Sequence, residues 1–436
     1  MTQVLHAAAA SRLLPEVSLP SPIAGHGPSS VATIQSDTLE ANALLLAAGG
    51  RRSLLISYDL LYIGGDLERR VRRELARQYG LADGDVILFA SHTHFAPPTD
   101  AEIPKFGPCD HAYAAGVFET TMALADAVLA ATAEPARLEV RQGPLSHSVN
   151  RRRPRRLPTY SREGFNFDRV VLATHATGLR DDNATVVTLV AGGSGRTIGS
   201  LFHYACHPVG HVPRAAVSAD FPGVARTAIR GVQGAGTPVL FAQGFCGDIR
   251  PNFGAAKRGS LIAAAKDFLR EAVTGSRLAV TSAPDWREWV TSMGDGVDAL
   301  ARMAPVVAAK ELSVASASEH LQLQSIFEGD INKREIRISA LTLGRELEIV
   351  GLGAEPTIGW QQKLSAGLNG PTKVRLFAGY CGDVFGYLPL AEQIHEGGYE
   401  VSGFQPSFGL KGRFRKDVME KAVTTAVARA HGALRA

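Results

Sequence analysis

The chain has 436 residues, with 46 basic and 42 acidic side chains and a formal net charge of +4. Hydrophobic residues make up 45% and charged residues 20%, which describes a globular protein with a substantial core. The even charge balance excludes bulk attraction to nucleic acid or to a membrane surface. Four cysteines (Cys109, Cys206, Cys246 and Cys381) in so long a chain do not make a disulfide framework. The N-terminal residues lack a basic segment followed by an apolar stretch. No run of about 18 apolar residues marks a membrane span. The expected compartment is therefore the cytoplasm. At this length one large catalytic domain or two domains are both open.

Short apolar runs alternate with helical patterns along the chain, which predicts an α/β protein. A strand over 54–58 ends at Asp59. Leu67, Val71 and Leu75 recur at four-residue spacing over 66–79, with Gly80 placed to close that helix. A buried strand over 86–90 delivers Ser91-His92-Thr93-His94, and a long helix is expected over 113–133. A strand over 197–205 delivers Cys206-His207-Pro208, and Asp220 can cap a helix over 222–232. The strand over 238–242 leads into Gly244-Phe245-Cys246-Gly247-Asp248, and a helix over 260–273 follows. Residues 275–330 carry the weakest pattern and suggest an insertion or a small subdomain. Strands over 335–343 and 346–352 come next, the second leading to Glu355. A strand over 374–378 and a last helix over 416–430 complete the order.

Strand after strand thus ends in a group able to bind metal or move protons: Asp59, His92, His207, Asp248 and Glu355. In α/β sheets the active crevice lies beyond the carboxyl ends of the strands, so the recurrence points to one site assembled from distant segments. His92 and His94 form an H-x-H pair after an apolar strand, where alternate residues share a face. They read either as zinc ligands or as loop histidines satisfied by their neighbours. His207 sits in the same context, with His203 and His211 nearby. Glu355 is costly to bury unless it is paired or binds a metal, although a carboxylate before Pro356 and Thr357 also suits a helix start. These residues support a metal-assisted hydrolase and leave its substrate open.

The ordered motifs resemble those of the neutral/alkaline, non-lysosomal ceramidase family. Phe89-Ala-Ser-His-Thr-His-Phe-Ala-Pro97 is similar to the family's T-H-T-H-S-G-P, and Asn150-Arg-Arg-Arg-Pro154 to its N-R-S-P. Cys206-His207-Pro208, followed by Ser218-Ala-Asp-Phe-Pro-Gly223, resembles its H-P/G-T-S segment and what comes after. Gly247-Asp-Ile-Arg-Pro-Asn252 is similar to G-D-V-S-P-N, and Gly379 to Glu400 resembles the tyrosine-rich end of the catalytic domain. The resemblance implies a ceramidase catalytic-domain-like fold, with mixed β-sheets flanked by helices in a single catalytic domain. It also implies zinc (Zn2+) bound by His92, His207, Glu355 and Tyr387. Tyr399 is then the group that contacts the substrate carbonyl, Arg151 lines the pocket, and His94 carries the proton to the leaving amine. Asp59 and Asp248 are assigned from their strand ends, as carboxylates orienting the histidine ligands. The reaction so implied is hydrolysis of an amide (N-acyl) bond, with other acyl bonds (ester, lactone or cyclic amide) or a non-catalytic binding role as alternatives.

Three features depart from the family pattern. Arg250 stands where the family has serine. The segment Arg151-Arg152-Arg153-Pro154-Arg155-Arg156 replaces N-R-S-P, and reads as a solvated loop or, with Arg250, as a site for a substrate carboxylate or phosphate. No counterpart to the family's C-terminal immunoglobulin-like domain or secretion signal is expected. A small-molecule amide, soluble and carboxylate-bearing, fits this pattern better than membrane ceramide, and nucleic acid is not an expected partner. Cys206, Cys246 and Cys381 fall within the motifs, either as thiolate groups or as small buried filler.

Overall fold

A computed structural model of the chain describes residues 3–155, 159–161, 164–253, 281–331, 335–368 and 370–434. The helix expected over 260–273, and Arg156 of the arginine run, lie outside the described residues. A nine-stranded mixed sheet runs in the order Val239–Gln243, Thr197–Tyr204, Asn183–Ala191, Glu134–Pro144, His6–Leu13, Glu40–Ala48, Arg51–Tyr58, Val86–Ala90, with Val307–Ala309 also paired to Glu134–Pro144. The two end pairs are parallel and the pairs between them antiparallel. A second sheet of four strands orders Val314–Gln322, Glu335–Leu343, Leu347–Leu352 and Val374–Ala378, the last pair parallel.

The period-two alternation of side chains explains how these sheets stack. Leu44, Leu46, Leu55, Ile87 and Phe89 leave one face of the large sheet and meet Leu341, Leu343, Ile349 and Leu376 of the small one. Leu45, Leu54, Ile56 and Leu88 leave the opposite face and pack with Val71, Leu75, Val117 and Leu124 of the helices Gly65–Tyr79 and His111–Leu129. Further along that face, Phe202, Tyr204 and Phe241 pack with Phe221 and Ile229 of the helix Phe221–Gln233 and with Trp289 and Val297 of Ala283–Arg302. The outer face of the small sheet carries the helix Lys416–Ala433, through Met419, Val423 and Val427. Two sheets thus face each other across an apolar layer with helices outside both. Each buried aliphatic side chain in such a layer contributes about 1.5–3 kcal/mol.

Local signals set most boundaries. Gly80 takes φ 64°, the left-handed cap that a helix end favours. The helix expected from 113 begins instead at His111, because the Asp110 side chain accepts hydrogen bonds from the Ala112 and Tyr113 amides. Within the weakly patterned region, Ala283–Arg302 packs on the large sheet and Val314–Gln322 edges the small one. Among the described residues no helix is long and apolar enough to cross a membrane.

Candidate metal centre

The carboxyl ends of strands from both sheets converge. Val86–Ala90 stops before the histidine pair, and His92 adopts φ 65°, a left-handed conformation rare for a residue with a side chain. The two histidines therefore do not share a strand face as their spacing suggests. The turned backbone brings them together instead, with Nε2 of His94 3.3 Å from Nε2 of His92. Thr197–Tyr204 delivers His207, whose Nε2 lies 3.0 Å from that of His92. All three histidines offer a nitrogen within one 4.8 Å cluster that could hold a metal ion. Glu355 arrives from the small sheet and places Oε2 3.5 Å from His92 Nε2 and 3.8 Å from His207 Nε2. Tyr387 lies directly across from Glu355 in a short parallel pair, Glu355–Pro356 with Tyr387–Leu388.

Hydrogen bonds dictate which ring nitrogens face inward. His92 Nδ1 is 3.1 Å from the Leu61 carbonyl and His207 Nδ1 is 2.9 Å from the Cys246 carbonyl. A carbonyl only accepts, so each Nδ1 carries the proton and each Nε2 is left as a bare lone pair. Two lone pairs facing each other at 3.0 Å call for a cation between them. Burial, reinforced by the neighbouring cationic or imidazole groups, pulls His92, His94 and His207 well below the usual 6.5, so their rings are neutral and ready to ligate. His92 and Glu355 are each 1% exposed. Burial pushes the Glu355 carboxyl up to about 7, against the pull of the Tyr62, Tyr387 and Tyr380 hydroxyls and Arg151. A bound cation would reverse that balance.

The remaining expected residues divide. Arg151 Nη2 donates to the Tyr387 hydroxyl at 3.1 Å, and its guanidinium lies 5.5 Å from the centre of the Tyr387 ring and 5.6 Å from that of Tyr399. Tyr387 and Tyr399 meet edge to face at 5.4 Å. His94, Arg151, Tyr387 and Tyr399 therefore surround the His92–His207–Glu355 cluster. Asp59 and Asp248 do not orient the histidines, because backbone carbonyls already hold both Nδ1 atoms. Asp59 is paired with Arg226 at 2.6 Å and accepts from the Glu40 amide at 2.9 Å. Asp248 accepts from the Ile358 amide at 2.7 Å and from Asn150 at 3.2 Å, tying the Arg151 strand to the Glu355 segment. The arginine run is not a solvated loop where it is described at the site: Arg151 and Arg152 are buried in the strand Ser148–Pro154 and share the buried carboxylate of Glu400, at 2.9 and 2.8 Å. Cys206, Cys246 and Cys381 are buried free thiols whose burial pushes their ionisation up, the behaviour of filler.

Four contributors carried no readable signal as site residues. Tyr62 donates to Glu355 Oε1, and the Tyr380 hydroxyl lies 3.3 Å from Oε2 while its ring stacks on His92 at 4.1 Å. Glu400 pairs both arginines. Gly25, at φ +91°, backs onto His94 so closely that a Cβ there would sit 2.3 Å from Nδ1. Tyr380 and Glu400 had a nearby cue, in lying within the tyrosine-rich stretch from Gly379 to Glu400.

No protein-family model matches the sequence, and no curated protein matches it. Solved structures do. The crystal structure of neutral ceramidase from Pseudomonas aeruginosa superposes with a TM-score of 0.75 at 16% identity, over 99% of this chain and 75% of that one. A ceramidase complexed with C2 gives a TM-score of 0.72, also at 16% identity and with the same coverage. The α/β fold of mixed sheets and flanking helices expected from the sequence is therefore the fold of this chain, and it is the fold of the neutral ceramidases.

Proposed function

We propose that the chain is a metal-dependent hydrolase that cuts an amide bond, with zinc the ion held by His92, His207, Glu355 and Tyr387. The observation that carries this reading is the pair of unprotonated Nε2 atoms 3.0 Å apart beside a buried carboxylate. Two imidazoles and carboxylate or phenolate oxygens are a donor set that suits zinc. His94 Nε2 lies in the same cluster, which also favours a reading in which His94 is a third nitrogen ligand. When bound, such an ion would polarise the acyl carbonyl and make a water molecule acidic near neutrality.

The protein's own groups account for the rest of the chemistry. In hydrolysis the water oxygen bonds to the carbonyl carbon, the C–N bond breaks, and the amine leaves with a proton. His94, held neutral by its burial, is placed to take a proton from water and deliver it to that nitrogen. The Tyr399 hydroxyl donates to the carbonyl oxygen as negative charge grows there. Arg151 stabilises the phenolate form of Tyr387 through its hydrogen bond and opposes the upward push of burial.

The fold shared with ceramidases supports amide hydrolysis without specifying ceramide. We read the substrate as a soluble small molecule met in the cytoplasm, and four free cysteines fit a reducing compartment. A panel of N-acyl amides, esters, lactones and cyclic amides, assayed with and without a chelator, tests the proposal. Chelator-sensitive release of amine supports it. Chelator-sensitive cleavage confined to esters or lactones would move the assignment to those bonds, and cleavage indifferent to chelation would contradict the metal.

A further inference from the structure

Arg250 is 7% exposed, and among the described residues its guanidinium has no hydrogen bond or ion pair; its Nη1 atom is fully buried without a partner. An unpaired buried cation is costly, and proteins keep one where a ligand supplies the counter-charge. Its position is built by the sheet. Arg250 sits on the strand Ile249–Pro251, opposite Val149 in an antiparallel ladder, and the Arg151 amide donates to the Asp248 carbonyl at 2.8 Å in the same register. Val149 and Arg151 are two apart, so Arg151 and Arg250 leave the ladder on one face. Arg250 is also within electrostatic reach of the metal-cluster residue His207.

Of the neighbouring cations, Arg214 is exposed to solvent and the buried ones are already committed. Arg151 and Arg152 share Glu400, and Arg152 also pairs with Glu396 at 2.9 Å. Arg250 is left as the surplus cation beside the metal cluster. Burial, together with Arg151 and Arg214, pulls its guanidinium down to about 10, the response of a cation held among like charges.

We propose that Arg250 receives a carboxylate carried by the substrate, so that the preferred substrates are N-acyl compounds with a free acid near the scissile amide. A single unmatched guanidinium balances a monoanion, and its planar fork fits a carboxylate with two parallel hydrogen bonds. This inference rests on the amide-hydrolase reading for its chemistry, but the anion site can be tested without turnover.

The test compares N-hexanoylglycine with its neutral isostere N-isobutylhexanamide, and the monohexylamide of succinic acid with N-hexyl-4-methylpentanamide, in the full chain and in Arg250→Gln and Arg250→Lys. The first pair carries the acid on the amine side and the second on the acyl side. For at least one pair the ratio of kcat/KM for acid over isostere is expected to fall by about 10- to 100-fold in Arg250→Gln, the loss of one charge-assisted interaction, and to recover in part in Arg250→Lys. In parallel, that acid should raise the melting temperature of the wild-type protein and not of Arg250→Gln, whose ligand-free form should melt higher than the wild type. Unchanged ratios and equal thermal shifts in both proteins overturn the proposal while leaving the hydrolase reading intact. Absence of any turnover by the wild type counts against the hydrolase, and the thermal shifts then decide Arg250 alone.

Discussion

The Nε2 atoms of His92 and His207 face each other at 3.0 Å while each Nδ1 is held by a backbone carbonyl, Leu61 for one and Cys246 for the other. Residues 115 positions apart in sequence are thereby locked into the tautomer that ligates. A cation between the two Nε2 atoms relieves their opposed lone pairs.

Gly25 leaves no room for a side chain beside His94. Gly25→Ala would force a Cβ to 2.3 Å from His94 Nδ1 and impose φ +91° on a residue with a side chain, a conformation costing about 1–3 kcal/mol by itself. The histidine has to move. Turnover should fall by about tenfold or more, since 1.4 kcal/mol of misplacement already costs that much, while far-ultraviolet circular dichroism stays native. Unchanged turnover would show that the position of His94 does not matter.

Tyr62 holds the second oxygen of Glu355. Removing groups that orient a ligand weakens metal binding by about 10- to 100-fold, so Tyr62→Phe should release zinc to a chromophoric chelator at correspondingly lower chelator concentration. Retention equal to the wild type would place Glu355 outside the metal shell.

Glu400 is 1% exposed and pairs with both Arg151 and Arg152. Breaking a buried pair by removing one partner costs about 3–5 kcal/mol, so Glu400→Gln should lower the chemical-denaturation midpoint strongly and should impair turnover through Arg151. A stability loss below about 1 kcal/mol, the level of an exposed pair, would show that the arginines find other partners.

The three histidines give a signed pH dependence. Their ionisation in the folded metal-free protein lies below the usual 6.5, so below that pH the unfolded chain binds more protons than the folded one. Stability from this source is complete above the unfolded value and is lost as pH falls beneath it. Glu355, raised to about 7, acts in the opposite sense over the same range, so the readout is the contrast: between about pH 6.5 and 5 the melting temperature of chelator-treated wild type should change less favourably than that of His207→Asn. Parallel profiles for the two proteins would refute the assignment.

Much of this was legible along the chain because the signals were local. The strand before His92, the cap at Gly80 and the runs feeding His207 and Glu355 rest on periodicity and turn chemistry, which act over a few residues. The convergence of His92, His207 and Glu355 was readable through a repeated strand-end pattern and through the ordered motifs, and the strand-end pattern misled for Asp59 and Asp248. A carboxylate after a strand looks the same in sequence whether it meets a histidine, as Glu355 does, or the Arg226 guanidinium and Ile358 amide that occupy Asp59 and Asp248. Tyr62 and Gly25 were hidden for the same reason. Their roles exist only once the two sheets are stacked, and no spacing along the chain encodes that. The arginine run reads as solvated by composition because its partner, Glu400, lies about 250 residues away.

The most direct measurement is metal content by mass spectrometry, on protein purified without chelator, in the wild type and in His92→Ala with His207→Ala. The account predicts about one zinc ion per chain in the wild type, as a closed or catalytic zinc site binds. It predicts loss of that metal in the double variant, with amide hydrolysis lost in parallel. Wild-type protein that is free of metal yet fully active on amides would contradict it.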